Sequence, residues 1–345
     1  MFCSASKYLL YVSITLVVLL NACKPKPDNY NIANERVWEG KYEDAILLYT
    51  EAIRKNRRDT SAFINRGGVY AKLGDYKSAL ADYNSAYKLD TANARVFALT
   101  GDVKFLQEKW KEAIEMYIVS LQLHPYNAEV YFSSAVAKEK LNKKLSAVID
   151  YDKAINNDPY LVKAYFNRGV LKKGMGDYVN AMSDYDQAIL LDAKFADAYY
   201  NRGILNAEMS NDTSAFADFD VALQLDATLA GAYQCRGNLY FKQKEVEKAL
   251  QDYNLSLELD SSNSLAYYGR GITKYFLDDY QGALVDFELA IVLNPSGRAA
   301  YFHRANVKRL QGDMEGAILD YSLAGEMGYM NAFDSIRKYT IVPID

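Results

Sequence analysis

A chain of 345 residues has room for two ordinary domains, and with half of its residues hydrophobic and 24% charged it has the balance of a folded, water-soluble body. The formal charge of −4 argues against a nucleic-acid binder, which needs a basic face. Two histidines, His124 and His303, are too few and too isolated for a metal site or a catalytic pair, while 30 tyrosines against 6 prolines favour large, semi-polar packing surfaces.

The chain opens on a weakly positive start followed by the apolar run YLLYVSITLVVLL, Tyr8 to Leu20. Thirteen residues are too few for a bilayer span of about 20 and have the length of a signal-peptide core. The following LNAC, ending at Cys23, resembles the lipobox of bacterial lipoproteins, with Leu20 at the hydrophobic position and Ala22 next to the cut. That resemblance implies a signal peptide over 1–22 and lipid attachment at Cys23. A short linker over 23–27 follows, and the expected location is the cell envelope, with the outer membrane as destination because Lys24 rather than an aspartate follows the cysteine. Cys3 leaves with the signal and Cys23 carries lipid, so Cys235 is left as a buried structural thiol with no disulfide partner.

From Asp28 to Phe333 the sequence falls into nine frames of 34 residues, starting at 28, 62, 96, 130, 164, 198, 232, 266 and 300. One column is alanine throughout, from Ala45 to Ala317. Four residues on stands an aromatic, from Tyr49 to Tyr321, and three further on a small residue such as Ala52 or Ser120. Small, large, small at spacings of four and three is one face of a helix. An earlier column of Gly or Ala (Gly67, Gly101, Gly203), with Phe or Tyr four residues before it in eight frames, is a second helix built for close approach. Turn signals such as LGDY separate the two helices, and Pro125, Pro159 and Pro295 close three frames.

These columns resemble the tetratricopeptide repeat (TPR). The resemblance implies an all-α protein: a right-handed α-solenoid of nine helix hairpins, whose first helices line a concave face. The segment 334–345 is expected to supply a capping helix and tail.

Short copies such as AYFNRG at Ala164 and AYYNRG at Ala198 place an arginine where the family more often has an apolar residue. Sixteen residues after each arginine comes an aspartate, giving the candidate structural ion pairs Arg66–Asp82, Arg168–Asp184, Arg202–Asp218, Arg236–Asp252, Arg270–Asp286 and Arg304–Asp320. The first and third frames lack both charges, with Ile32/Leu48 and Thr100/Met116, as a buried pair requires. The fourth frame breaks the rule with Ser134 and Asp150. Two geometries stay open, pairing within a repeat or with the arginine of the next. An arginine row aimed at an anionic ligand would need no matching acid, so the structural reading is preferred.

Variable columns remain for recognition. By the resemblance, Phe166, Tyr200, Tyr268 and Phe302, with Asn238 and Asn306, face the groove and suit a peptide segment. The opposing reading is that these rings pack between neighbouring first helices. No Gly-rich phosphate loop, metal-spaced set or activated nucleophile stands in the sequence, so no catalysis and no cofactor are expected. The functional expectation is a non-enzymatic, membrane-tethered scaffold for other envelope proteins. The alternative is a glycan- or peptidoglycan-binding envelope lipoprotein.

Overall fold

Helix starts recur every 34 residues in the computed structural model, which describes residues 28–340. The signal peptide, Cys23, the 23–27 linker and the tail beyond 340 lie outside the described residues. Among the described residues there are nineteen helices, no strand, and no helix long and apolar enough to cross a membrane. They form two compact units, 28–184 and 185–340.

In the first unit the helices are α1 (Asp28–Trp38), α2 (Tyr42–Lys55), α3 (Thr60–Lys72), α4 (Tyr76–Leu89), α5 (Ala94–Leu106), α6 (Trp110–Leu123), α7 (Ala128–Lys140), α8 (Lys144–Asn157) and α9 (Val162–Lys173). The unit boundary falls within α10 (Tyr178–Leu191). The second unit continues with α11 (Ala196–Glu208), α12 (Asp212–Leu225), α13 (Ala230–Lys242), α14 (Val246–Leu259), α15 (Ser264–Phe276), α16 (Tyr280–Leu293), α17 (Arg298–Leu310), α18 (Met314–Glu326) and α19 (Asn331–Thr340). Odd and even helices pair as consecutive hairpins, and α19 packs on α18. From α3 onward each first helix begins two residues before the frame read from the sequence. The last helix begins at Asn331 rather than 334.

The hairpins close through small-to-large contacts. The alanine column is fully buried from Ala45 to Ala317, and so is the aromatic column four residues on. A Cβ added to Gly67 would sit 2.6 Å from Tyr83 Cε1, and one on Gly203 2.8 Å from Phe219 Cε1, so the ring lies flat on a backbone that must carry no side chain. A solenoid has no single centre. Its core is a row of aromatic–alanine clusters, each shared between neighbouring hairpins and one of them running through three.

Every turn between the two helices of a hairpin places one residue in the left-handed region. Gly40, Gly74, Gly176 and Gly312 take it without cost, whereas Glu108, Asn142, Ser210, Lys244 and Asp278 take it with a Cβ. An amide just beyond reaches back to close the first helix, as in Asp75 N to Tyr70 O at 2.9 Å. Asp59, Asp75, Asn127, Asn263, Asp279 and Asp313 then cap the following helix with their side chains. At the C-terminal end Phe333 lies against the backbone of Gly325, where a Cβ would meet its ring at 2.6 Å. That contact holds α19 over the last hairpin.

Candidate functional site

Each arginine of the repeated column sits on the first helix of its hairpin and turns its guanidinium toward the second. Arg66 donates Nε and Nη2 to the two oxygens of Asp82 at 2.8 and 2.7 Å. The same forked geometry joins Arg168 to Asp184 at 3.0 and 2.5 Å and Arg202 to Asp218 at 3.1 and 2.6 Å. Arg236 meets Asp252 at 2.8 Å on both arms, Arg270 meets Asp286 at 2.9 and 2.6 Å, and Arg304 meets Asp320 at 2.8 and 2.7 Å. Pairing is therefore within the repeat. All six aspartates are buried, and two parallel charge-assisted bonds per pair are what a guanidinium offers a carboxylate.

The third nitrogen does what sequence reasoning left unassigned. Arg168 Nη1 reaches Asp152 at 2.6 Å, Arg202 reaches Asp186 at 2.7 Å and Arg236 reaches Asp220 at 2.7 Å, each acid lying sixteen residues earlier on the preceding hairpin. Thr50 and Asn254 serve Arg66 and Arg270 in the same way, both at 2.8 Å. A ring three residues before the arginine covers the guanidinium face, as Tyr199 does for Arg202 at 5.5 Å and Tyr267 for Arg270 at 5.4 Å. The hydrogen bonds to Asp218, against the opposing cost of burial, push the Arg202 pKa further above its ordinary value. Among the described residues, five of the six arginines thus use all three nitrogens inside the protein. The arginine row is a structural ladder, and the signal for its second rung was present as an acid spaced sixteen before as well as sixteen after.

The fourth repeat, which lacks the arginine, also satisfies its aspartate. Asp150 accepts from Ser134 Oγ at 2.6 Å and from Lys138 Nζ at 2.5 Å, so the cation has moved one helical turn along α7.

The first helices touch one another from repeat to repeat, α3 with α5 and α5 with α7 in the first unit, α13 with α15 and α15 with α17 in the second. The six residues expected to line a groove are not equivalent there. Tyr200 is only 7% exposed, tilted against Phe219 at 6.2 Å, with its hydroxyl end against the backbone of Gly231 on the next first helix. It packs two repeats together. Tyr268 is half-buried between Phe287 and His303, and burial pushes its phenol up to about 12. Phe302 stacks on Tyr329 at 4.6 Å, and Phe166 is half-buried. Asn238 is exposed and Asn306 half-buried, yet the side-chain carbonyls of both are engaged, accepting from Tyr253 at 2.8 Å and Tyr321 at 2.6 Å. What these amides can still offer a ligand is their NH2 group.

Sequence reading missed this bond, which forms wherever the residue fifteen before the tyrosine is Asn or Asp. Tyr49 likewise donates to Asn34 and Tyr117 to Asp102, at 2.5 and 2.8 Å. Where the second-helix aromatic is Phe219 or Phe287, the matching position is Ile204 or Ile272, which needs no donor. Asp102 is the one acid in that column, and desolvation raises its carboxyl to about 6. The first helices of the second unit also carry an exposed ring. Phe276, 65% exposed, meets Phe241 across α13 and α15 at 5.3 Å. Among the described residues no group of His, Cys, Asp and Glu is arranged to hold a metal ion.

Three family models match this chain, each described as tetratricopeptide repeat, over residues 30–94, 162–195 and 230–263. No curated protein matches it. Among solved structures it is similar to the APC/C hetero-tetramer Cut9–Hcn1, at 14% identity over 90% of this chain and 75% of that one, with a TM-score of 0.59. It is also similar to the C-terminal part of a TPR repeat-containing protein from Cytophaga hutchinsonii, at 18% identity over 70% and 98%, with a TM-score of 0.56. A tetratricopeptide repeat protein from Parabacteroides merdae matches at 21% identity over 70% and 95%, with a TM-score of 0.54. These likenesses speak to the fold. The three matched segments are tetratricopeptide repeats, and the paired helices and glycine-on-ring contacts around them make the described residues an all-α stack of helix hairpins of the same kind.

Proposed function

We propose that this protein is a non-enzymatic scaffold, lipid-anchored at Cys23 in the bacterial cell envelope at the outer membrane, that binds a peptide segment of another envelope protein along its first helices. The observation that carries the peptide reading is the exposed ring of Phe276 against the half-buried Phe241, beside the exposed amide of Asn238 and the half-buried Ile272, on adjacent first helices. Exposed apolar surface rimmed by polar groups marks an interaction site, and a flat ring with an amide beside it suits a side chain and its backbone. With its arginine row and alanine column occupied internally, the protein has this variable surface left to distinguish one partner from another. The test is crosslinking and recovery from intact cells with the double variant Phe276→Ala/Asn238→Ala. Partner recovery should fall at least about tenfold, because interface energy concentrates in a few aromatic anchors, while melting stays unchanged. Full recovery of every crosslinked partner by a folded double variant would overturn the reading. Equal capture of a soluble muropeptide or glycan would favour the sugar-binding alternative.

A further inference from the structure

From the last turn of α2 into the loop before α3 the chain carries four cations in five residues, Arg54, Lys55, Arg57 and Arg58, with no acid from Ala52 through Arg58. All four are exposed, and none has a side-chain hydrogen bond or ion pair among the described residues. The nearest acids are committed elsewhere: Glu51 accepts from Asn29, and Asp59 accepts from Ala62 N as the cap of α3. Cations elsewhere in the first unit are often paired, as Lys104 with Glu112 or Lys172 with Asp184. This cluster is left to solvent.

Its place in the fold gives it a partner. Because α1 and α2 are antiparallel, the start of α1 stands beside the end of α2, as the 2.7 Å bond from Asn29 Nδ2 to Glu51 Oε2 records. The chain therefore emerges from its N-terminal segment at the edge that carries the four cations. Only Lys24 to Pro27 separate Cys23 from Asp28, a reach of at most about 18 Å, and two of those four residues are lysine.

We propose that Arg54, Lys55, Arg57 and Arg58 form a docking edge for an anionic lipid surface, laying the first repeat against the membrane to which Cys23 is anchored. This rests on the lipoprotein reading above for why the membrane lies so near. A basic cluster is attracted to an anionic bilayer residue by residue, and the attraction decays over a Debye length of about 10 Å. A tether of at most about 18 Å keeps the cluster within about two Debye lengths of the bilayer, where contact with it is reachable. The opposite edge of the hairpins carries Lys140, Lys143 and Lys144 at the α7–α8 turn, away from the tether, and serves as the control.

The experiment compares binding of the full chain to vesicles of phosphatidylcholine alone and of phosphatidylcholine mixed with phosphatidylglycerol, using the ratio of the two affinities so that the N-terminal segment common to all variants cancels. The wild-type ratio should exceed about tenfold and collapse with added salt. Arg54→Gln/Lys55→Gln/Arg57→Gln/Arg58→Gln should bring it close to one, while Lys140→Gln/Lys143→Gln/Lys144→Gln retains it. Should the quadruple variant lose helical content, Arg57→Gln/Arg58→Gln is measured instead and should lose a large part of the preference. A quadruple variant that keeps the ratio, or a lysine control that loses as much, overturns the docking edge. Fatty-acid incorporation at Cys23 is scored on the same samples: its absence, with the ratio intact, sinks the anchor and leaves the docking edge standing.

Discussion

The fourth and sixth repeats bury the same aspartate and neutralise it from the same two positions with the charges exchanged. In the sixth, Arg202 forks onto Asp218 and Asn206 Nδ2 adds a neutral bond at 2.9 Å. In the fourth, the arginine position holds Ser134 and the position one turn later holds Lys138, so the neutral bond and the cation have traded places. A buried carboxylate cannot do without a compensating charge, but the site is indifferent to which turn of the first helix supplies it. The arginine adds something the lysine does not. Its third nitrogen reaches Asp186 on the preceding hairpin, so the sixth repeat is stitched to its neighbour by a bond the fourth lacks.

The strongest way to break that comparison is to remove each cation in turn. Arg202→Ala and Lys138→Ala should each cost about 3 kcal/mol in denaturant unfolding, because each leaves a buried aspartate with one neutral donor. A loss below half that value for either would mean that water reaches the carboxylate. Arg202→Leu with Asp218→Leu should recover much of the loss, following the apolar Ile32/Leu48 arrangement of the first repeat. The sharper test makes the sixth repeat imitate the fourth. Arg202→Ser with Asn206→Lys should keep the stability of the hairpin within about 1 kcal/mol of wild type, the shortfall being the severed contact to the preceding repeat. If the transplant is as damaging as Arg202→Ala, the two arrangements are not interchangeable.

The contrast extends to acid. Asp102 in the first unit has its carboxyl raised to about 6 by desolvation, so the native state takes up a proton that the unfolded chain accepts only nearer pH 4. Its contribution is a stabilisation that grows as pH falls from about 6 to 4. His303 in the second unit is held down to about 4 by burial between aromatic rings, so the unfolded chain protonates first. Its contribution is a stability lost as pH falls from about 6.5 to 4. Each is worth on the order of 2 kcal/mol at the end of its window. Asp102→Asn should flatten the gain and His303→Phe the loss in melting measured between those pH values. Like-signed slopes for the two differences would refute the assignment.

The smallest effect lies at the hairpin turns of the same two repeats. Ser210 at φ 63° and Asn142 at φ 56° both occupy the left-handed region, but asparagine tolerates it and serine does not. Ser210→Gly should stabilise by about 0.5–1 kcal/mol and Asn142→Gly by no more than a few tenths, readable as a shift in melting.

Periodicity made the hairpins legible because each repeat must solve the same packing problem locally. Ala79, Tyr83 and Gly67 meet within one hairpin, so their spacing carries the contact with it. The Arg–Asp pairs were legible for the same reason, since sixteen residues across a fixed turn put two positions side by side. Less legible was anything that linked one hairpin to the next. The reach of Arg202 to Asp186 was hidden although its spacing was as regular. The coupling of Tyr253 with Asn238, and of Phe219 with Ile204, was equally visible as letters but had no meaning until a hydroxyl was seen to need an acceptor.

By itself the sequence determined the repeat length, the helix pairs and the buried alanine and aromatic columns, and it narrowed the partner of each arginine to two aspartates, all of which depend on contacts a fixed number of residues apart. Only the tertiary structure decided that Tyr200 packs against its neighbours while Phe276 stands in solvent, and that Lys138 takes the place of an arginine. It also decided that four cations share an edge with the start of α1. Burial of a single side chain depends on how successive hairpins lean on each other, and that lean is set by the summed fit of many side chains rather than by any spacing along the chain.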